Sequence, residues 1–240
     1  MKSMMKRKPV VFITGTHSDA LNDNNMLDLW WLPVIKTEIL SFDKIVLKES
    51  FDWIIFTSRN AVEYFVPFMD RVKVKNIASI GSKTSHELKT HDIEPNFESE
   101  VFSQEGFIDK FPVEKGLKIL YPASQNRRPK LENYLRGKAC DITSIDLYRP
   151  VDNIESIHYL FDNLHRADAL TFASPSAVRA IMENPLMTDE MREILNDKIL
   201  VCIGPVTNSV LESYGFKSSY PDVHTNEETI KLLCKLIEVS

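Results

Sequence analysis

Apolar residues in this chain fall into short continuous runs, separated by longer stretches in which they recur at helical spacing. Val10-Val11-Phe12-Ile13-Thr14 is β-branched and apolar on both faces, the composition of a buried parallel strand, and Gly15 ends it. Similar runs at 53–57, 76–80, 118–121, 169–172 and 200–203 predict further strands. Helical patterns follow them, and Ser58, Ser82 and Ser124 stand where helix N-caps are expected. Near the start, Asn25 is placed to cap a short helix through Leu27, Leu29 and Trp30. Two segments differ: Pro33–Ile39 and Ile145–Val151 alternate apolar and polar, as half-exposed strands do, and proline marks an end of each. Strand and helix in alternation indicate parallel sheets covered on both faces. The predicted fold is α/β, with two similar flavodoxin-like parallel-sheet domains, one inserted in the other, joined by a two-stranded β-ladder. The first domain takes residues 1–35 and 150–240, the inserted one 36–149.

The chain also repeats itself. Phe51-Asp52-Trp53-Ile54-Ile55-Phe56-Thr57-Ser58-Arg59-Asn60-Ala61-Val62 is echoed at 167–178, where an apolar run again ends in Ser and then Ala-Val. Ile80-Gly81-Ser82-Lys83-Thr84 is answered by Ile203-Gly204-Pro205-Val206-Thr207. Glu100-Val101-Phe102-Ser103 is answered by Asp222-Val223-His224-Thr225. The distance between the copies is far longer than a solenoid period, so the repeat denotes two copies of one domain.

With 240 residues there is room for two small domains with separate cores. No apolar stretch approaches the roughly 18 residues of a membrane span. The basic opening Met1–Lys8 lacks the apolar region of a signal peptide, which gives a cytoplasmic expectation. Cys140, Cys202 and Cys234 are widely separated and signal neither disulfides nor zinc, and the six histidines show no metal spacing. A net charge of −5 argues against general nucleic-acid binding, so any anion site must be local.

Ligands of parallel α/β sheets lie at the carboxyl ends of strands, where helices begin with free N–H groups. Ser58, Ser174, Gly81 with Thr84, and Gly204 with Thr207 all fall there. A serine or threonine at such a position is commonly only a cap, but the repetition of glycine and hydroxyl together favours ligand contact. Neither a dinucleotide fingerprint nor a P-loop is present. Arg127 and Arg128 follow the strand at 118–121 and fit either a solvated face or a carboxylate site. On pattern alone, Tyr148 is a half-buried sheet tyrosine.

Taken in order, Phe56-Thr57-Ser58 with Ala61-Val62, the two Ile-Gly-x-x-Thr elements, Phe172-Ala173-Ser174-Pro175-Ser176-Ala177-Val178 and Leu147-Tyr148 resemble the uroporphyrinogen-III synthase family. The resemblance runs from about Pro33 to the C-terminus. It departs at Thr14-Gly15-Thr16-His17, where members usually carry an arginine, and after Tyr148, where Arg149-Pro150 stands in place of a common threonine. It implies a lyase of haem biosynthesis that uses no cofactor or metal and binds its substrate between two α/β domains. The substrate, hydroxymethylbilane, would be closed to uroporphyrinogen III with inversion of ring D and loss of water. Tyr148 would assist departure of the hydroxyl. Ser58, Gly81, Thr84, Ser174, Gly204 and Thr207 would hold substrate, with Arg127 and Arg128 as further carboxylate partners. A monomer receiving substrate by hand-over from hydroxymethylbilane synthase is expected, with no nucleic-acid or membrane partner. The alternative is a non-catalytic two-domain module that binds a tetrapyrrole or another polyanion, since fold does not fix function.

Overall fold

The computed structural model describes residues 7–15 and 26–239. The described residues up to Lys36, together with those from Val151 onward, form one compact unit, and Thr37–Pro150 forms another. In chain order the elements are β1 (Val10–Ile13), β2 (Asp28–Trp31), β3 (Ile35–Ile39), β4 (Ser50–Phe56), α1 (Arg59–Phe65), β5 (Lys73–Ser79), α2 (Ser82–Thr90), β6 (Phe97–Glu98), α3 (Gln104–Lys110), β7 (Lys118–Ser124), α4 (Lys130–Gly137) and β8 (Asp141–Asp152). They continue with α5 (Ile154–Asn163), β9 (Ala169–Phe172), α6 (Pro175–Met182), α7 (Asp189–Asn196), β10 (Ile199–Cys202), α8 (Pro205–Ser213) and α9 (Asn226–Val239). The chain leaves the first unit within β3 and returns within β8, which are neighbouring strands of one sheet.

The continuous unit, Thr37–Pro150, is built on a sheet ordered β3-β8-β7-β4-β5-β6. From β8 to β6 every pairing is parallel. Successive side chains of a strand face opposite ways. Ile54 and Phe56 therefore join Val62, Phe65 and Leu120 on the face covered by α1, while Ile55 joins Phe107, Ile119, Leu131 and Leu135 on the face covered by α3 and α4. Asp52 ties three strands together at the opposite end: its carboxylate accepts from Lys75 Nζ of β5 (2.7 Å) and from the Lys118 amide of β7 (2.9 Å).

The discontinuous unit has a parallel sheet ordered β10-β9-β1-β2, flanked by two cores. Phe12, Leu170 and Phe172 pack with Val178 and Ile181 of α6 on one side. Val11, Ile13 and Val201 pack with Ile230 and Leu233 of α9 on the other.

Strand order relates the two units. Read from β2, the discontinuous unit runs β2-β1-β9-β10, and Ser219 adds a bridge to Val201 at the far edge. Numbered along the chain, that is the flavodoxin order 2-1-3-4-5. The continuous unit shows the same spatial order, β8-β7-β4-β5-β6, with its two leading strands supplied from the end of its sequence instead of the beginning. The repeat thus equates β4 with β9 and β5 with β10.

Some local expectations change. No helix runs through Leu27, Leu29 and Trp30: Asp28–Trp31 is β2, paired in parallel with β1 through Leu29↔Val11 and Trp30↔Phe12. Asn25 and His17 lie outside the described residues. Ser124 does not open a helix, because β7 continues through it by pairing with β8, and α4 begins only after Pro129. Strand β6 and helices α3, α5 and α7 join the expected elements. No helix among the described residues is long and apolar enough to cross a membrane.

Candidate active site

Ser58, separated from the end of β4 by Thr57, is in extended backbone and is the N-cap of α1, its Oγ accepting a hydrogen bond from the Ala61 amide (3.1 Å). That same Oγ lies 2.8 Å from the hydroxyl of Tyr148. A hydroxyl has one proton and two lone pairs, so Ser58 can cap the helix and still exchange a hydrogen bond with the phenol. On β8, Tyr148 comes opposite Ser124 after a register shift at Ala123/Ser124. Its carbonyl accepts from the Gln125 amide (2.7 Å), which anchors the strand at the sheet's carboxyl end. The residue is 8% exposed, and Tyr64 meets its ring edge-on at 5.6 Å between centroids. Tyr64 in turn hydrogen-bonds to the Thr37 hydroxyl.

Burial pushes the Tyr148 phenol above its ordinary value of 10, partly offset by the Ser58 hydrogen bond, and Tyr64 adds to the rise. At neutral pH this group is a protonated donor.

The two Gly-x-x-Thr elements open α2 and α8. Gly81 has φ +137°, a backbone conformation open to glycine, and a Cβ there would lie 2.8 Å from Phe102 Cδ1. Gly204 is in ordinary extended backbone, yet a Cβ would lie 3.0 Å from His224 Cγ. In each unit the open side of the glycine is thus covered by the ring from the loop ahead of the next helix. Thr84 and Thr207 are buried in the first turns of α2 and α8. Ser174 caps α6 through the Ala177 amide (3.1 Å), repeating the role of Ser58, but its oxygen lies 3.0 Å from Ser176 Oγ instead of a phenol.

The neighbouring arginines differ sharply. Arg127 donates to Glu132 (3.3 Å), to the Ser124 carbonyl (3.2 Å) and to Asp146, so its guanidinium is committed within the fold. Arg128 has an exposed side chain and contributes its carbonyl, which accepts from Gln104 Nε2 (3.4 Å). Of the expected residues of the continuous unit, the fold brings Ser58 and Tyr148 together and leaves Arg128 facing solvent. In the other unit a cleft of about 410 Å³ includes Ser176 and Arg179, but Asp152 and Glu183 also line it, so it has no net attraction for a polycarboxylate. Among the described residues no group of three or more His, Cys, Asp or Glu side chains is placed to hold a metal.

Three residues that touch expected ones, Tyr64 at Tyr148, Phe102 at Gly81 and His224 at Gly204, carry no chemical signature in the sequence. Tyr64 reads as an ordinary core aromatic of α1. Phe102 and His224 read as loop residues, and only their matching places in the repeat single them out.

The sequence matches the model of uroporphyrinogen-III synthase HemD over residues 21–231. The chain belongs to the uroporphyrinogen-III synthase family. It is 30% identical over 201 residues to a Methanocaldococcus jannaschii protein named "Putative uroporphyrinogen-III synthase", covering 79% of this chain and 81% of that one. To the chloroplastic uroporphyrinogen-III synthase of rice it is 27% identical over 218 residues, covering 84% and 69%. Solved structures share the fold at lower identity. The uroporphyrinogen-III synthetase of Helicobacter pylori aligns at TM-score 0.65 and 16% identity, covering 96% of this chain and 100% of that one. A mutant uroporphyrinogen III synthase of Thermus thermophilus aligns at 0.59 and 18%, covering 97% and 100%. The two-domain α/β character read from the sequence agrees with these synthase structures.

Proposed function

We propose that this chain is a uroporphyrinogen-III synthase that closes hydroxymethylbilane to uroporphyrinogen III, inverting ring D with loss of water. Family membership supports the reaction class. The observation that carries the assignment to residues is the hydrogen-bonded Ser58–Tyr148 pair at the carboxyl end of a parallel sheet. A buried phenol kept protonated suits the first step, in which the hydroxyl on ring A leaves as water. Tyr148 donates the proton, and Ser58 holds the phenol and stabilises the charge that develops on its oxygen. The electrophilic azafulvene is attacked by the substituted carbon of ring D, and the spiro intermediate fragments and recloses. The proton released as the last ring regains aromaticity restores the phenol.

The same open chain cyclises unaided to the uninverted isomer, so the main task of the protein is geometric control. Eight carboxylates give many handles. Helix starts at Ser58 and Gly81 with Thr84 and Arg128 in one unit, and at Ser174 and Gly204 with Thr207 in the other, offer donors without a large net positive charge. Arg127 supports this set from within the fold.

The deciding experiment generates hydroxymethylbilane in place, adds the protein, then oxidises and separates the products. Predominant isomer III establishes reaction and substrate. Isomer I alone, from folded protein, removes the catalytic assignment and gives precedence to a module that binds polyanions without turnover.

A further inference from the structure

Phe102 and His224 occupy matching positions in the repeat, and the fold treats them alike. Each sits at the apex of a tight turn closed by a backbone bond across it: the Ser103 amide donates to the Val101 carbonyl (2.7 Å), and the Thr225 amide to the Val223 carbonyl (2.9 Å). The hydroxyl residue that closes each turn then caps a following amide, Ser103 that of Gly106 (3.1 Å) and Thr225 that of Glu228 (3.2 Å). Each ring thereby rests against the glycine at the start of α2 or α8, at a strand end of its own unit.

Local packing does not account for these rings. Phe102 is 65% exposed and its neighbour Val101 61%, while Val223 beside His224 is 60% exposed. Holding an aromatic side chain in water by a turn and a cap costs conformational freedom and buries little apolar surface. Clustered exposed apolar groups of this kind mark contact surfaces. Their place, at the carboxyl ends of parallel strands, is where doubly wound sheets meet ligands.

We propose that Phe102 and His224 are ligand-contacting residues, each placed at the strand ends of its own unit to lay its ring against a pyrrole of a tetrapyrrole; the inference rests on the proposed function for the identity of that ligand. Carboxylates are served by hydroxyls and amides, but pyrroles are flat, electron-rich and carry an N–H. Phe102 offers a π-face with a positive edge, and His224 adds a ring nitrogen able to accept from a pyrrole N–H. The two mouths are therefore chemically unequal despite their common origin.

The test compares Phe102→Leu with Phe102→Tyr, and His224→Leu with His224→Phe. Leucine keeps apolar bulk over the glycine and removes the π-face; the second variant of each pair keeps a ring. Readouts are the thermal midpoint, the affinity for uroporphyrin III by fluorescence quenching, and KM and kcat with hydroxymethylbilane generated in place. Expected is an unchanged midpoint in all four, with porphyrin affinity reduced and KM raised about 3- to 10-fold in the leucine variants, near-parental values for Phe102→Tyr, and an intermediate loss for His224→Phe, which keeps the π-face but not the ring nitrogen. Leucine variants that bind like the parent, or ring-keeping variants that lose as much as leucine, overturn the proposal. So does a parent protein that does not bind the porphyrin. If the parent binds it and the leucine variants bind less, but no isomer III forms, the ring contacts stand and the synthase reading falls.

Discussion

Ser58 Oγ and Tyr148 OH lie 2.8 Å apart although the residues are 90 positions apart in sequence, and the Ser58 oxygen also holds the first turn of α1. The phenol is therefore oriented by a group that the helix itself fixes. Replacing Tyr148 by Phe removes the donor and keeps the ring contact with Tyr64. Isomer III formation is expected to fall roughly 10²- to 10⁴-fold in kcat with KM little changed. Arg128→Ala, by contrast, should raise KM and spare kcat. Equal, small effects from both changes in steady-state assays would contradict the assigned roles.

Arg127 and Arg128 are adjacent in sequence but differ in role. Arg127→Ala strips Glu132 and Asp146 of a shared partner and should destabilise the protein by about 1–3 kcal/mol. Arg128→Ala should leave the urea midpoint unchanged. A stable, folded Arg127→Ala protein with a raised KM would show instead that the guanidinium turns to substrate.

Two repeated glycines should respond differently to alanine. At Gly81, φ +137° and the Phe102 ring 2.8 Å from the new Cβ combine strain with a clash, and a loss of about 1–3 kcal/mol is expected. Gly204→Ala requires only that the exposed His224 ring give way from 3.0 Å, and its backbone is already ordinary. Chemical denaturation of the two variants should separate them clearly; equal losses would refute the distinction.

Tyr148 and Asp52 contribute to the pH response with opposite signs. Burial raises the folded pKa of Tyr148 above its unfolded value of 10, so its contribution to stability is complete below about pH 10 and is lost as pH rises through the folded value. The alkaline fall in kcat should accordingly lie above pH 10. Asp52 is opposite: the Lys75 hydrogen bond, then the Lys118 amide, hold its carboxyl below 3.8. Its contribution is present above about pH 4 and is lost as pH falls through the lower folded value. Stability curves of Asp52→Asn should be flatter on the acid side than those of the parent, and identical acid limbs would exclude this role.

What the sequence disclosed, and what it hid, have physical reasons. Strand β9 is found where predicted, at Ala169–Phe172, because a continuous apolar run bounded by polar residues fits a strand buried on both faces. Segment 26–31 misleads because so short a run fits either period, and only pairing with β1 decides it. Ser124 has the local credentials of a cap, yet the ladder with β8 extends β7 through it. The site was legible as separate strand ends, but not as a pair: nothing local to Ser58 or Tyr148 encodes their contact, which arises from where β4 and β8 fall in the sheet. Arg127 looked like a free cation since its acidic partners, five residues ahead on α4 and across on β8, are set by folding.

The nested connectivity also bears on how the chain is made. Thr37–Pro150 is continuous and can close its sheet as soon as β8 has been synthesised. Strand β1 must wait, because Val11 pairs on one side with Ala169, which is translated much later. Until then the apolar Val10–Ile13 run has only β2 beside it in the sheet. Strand β1 is thus translated well before β9 covers its open side, and in a stalled or truncated chain it exposes an adhesive edge.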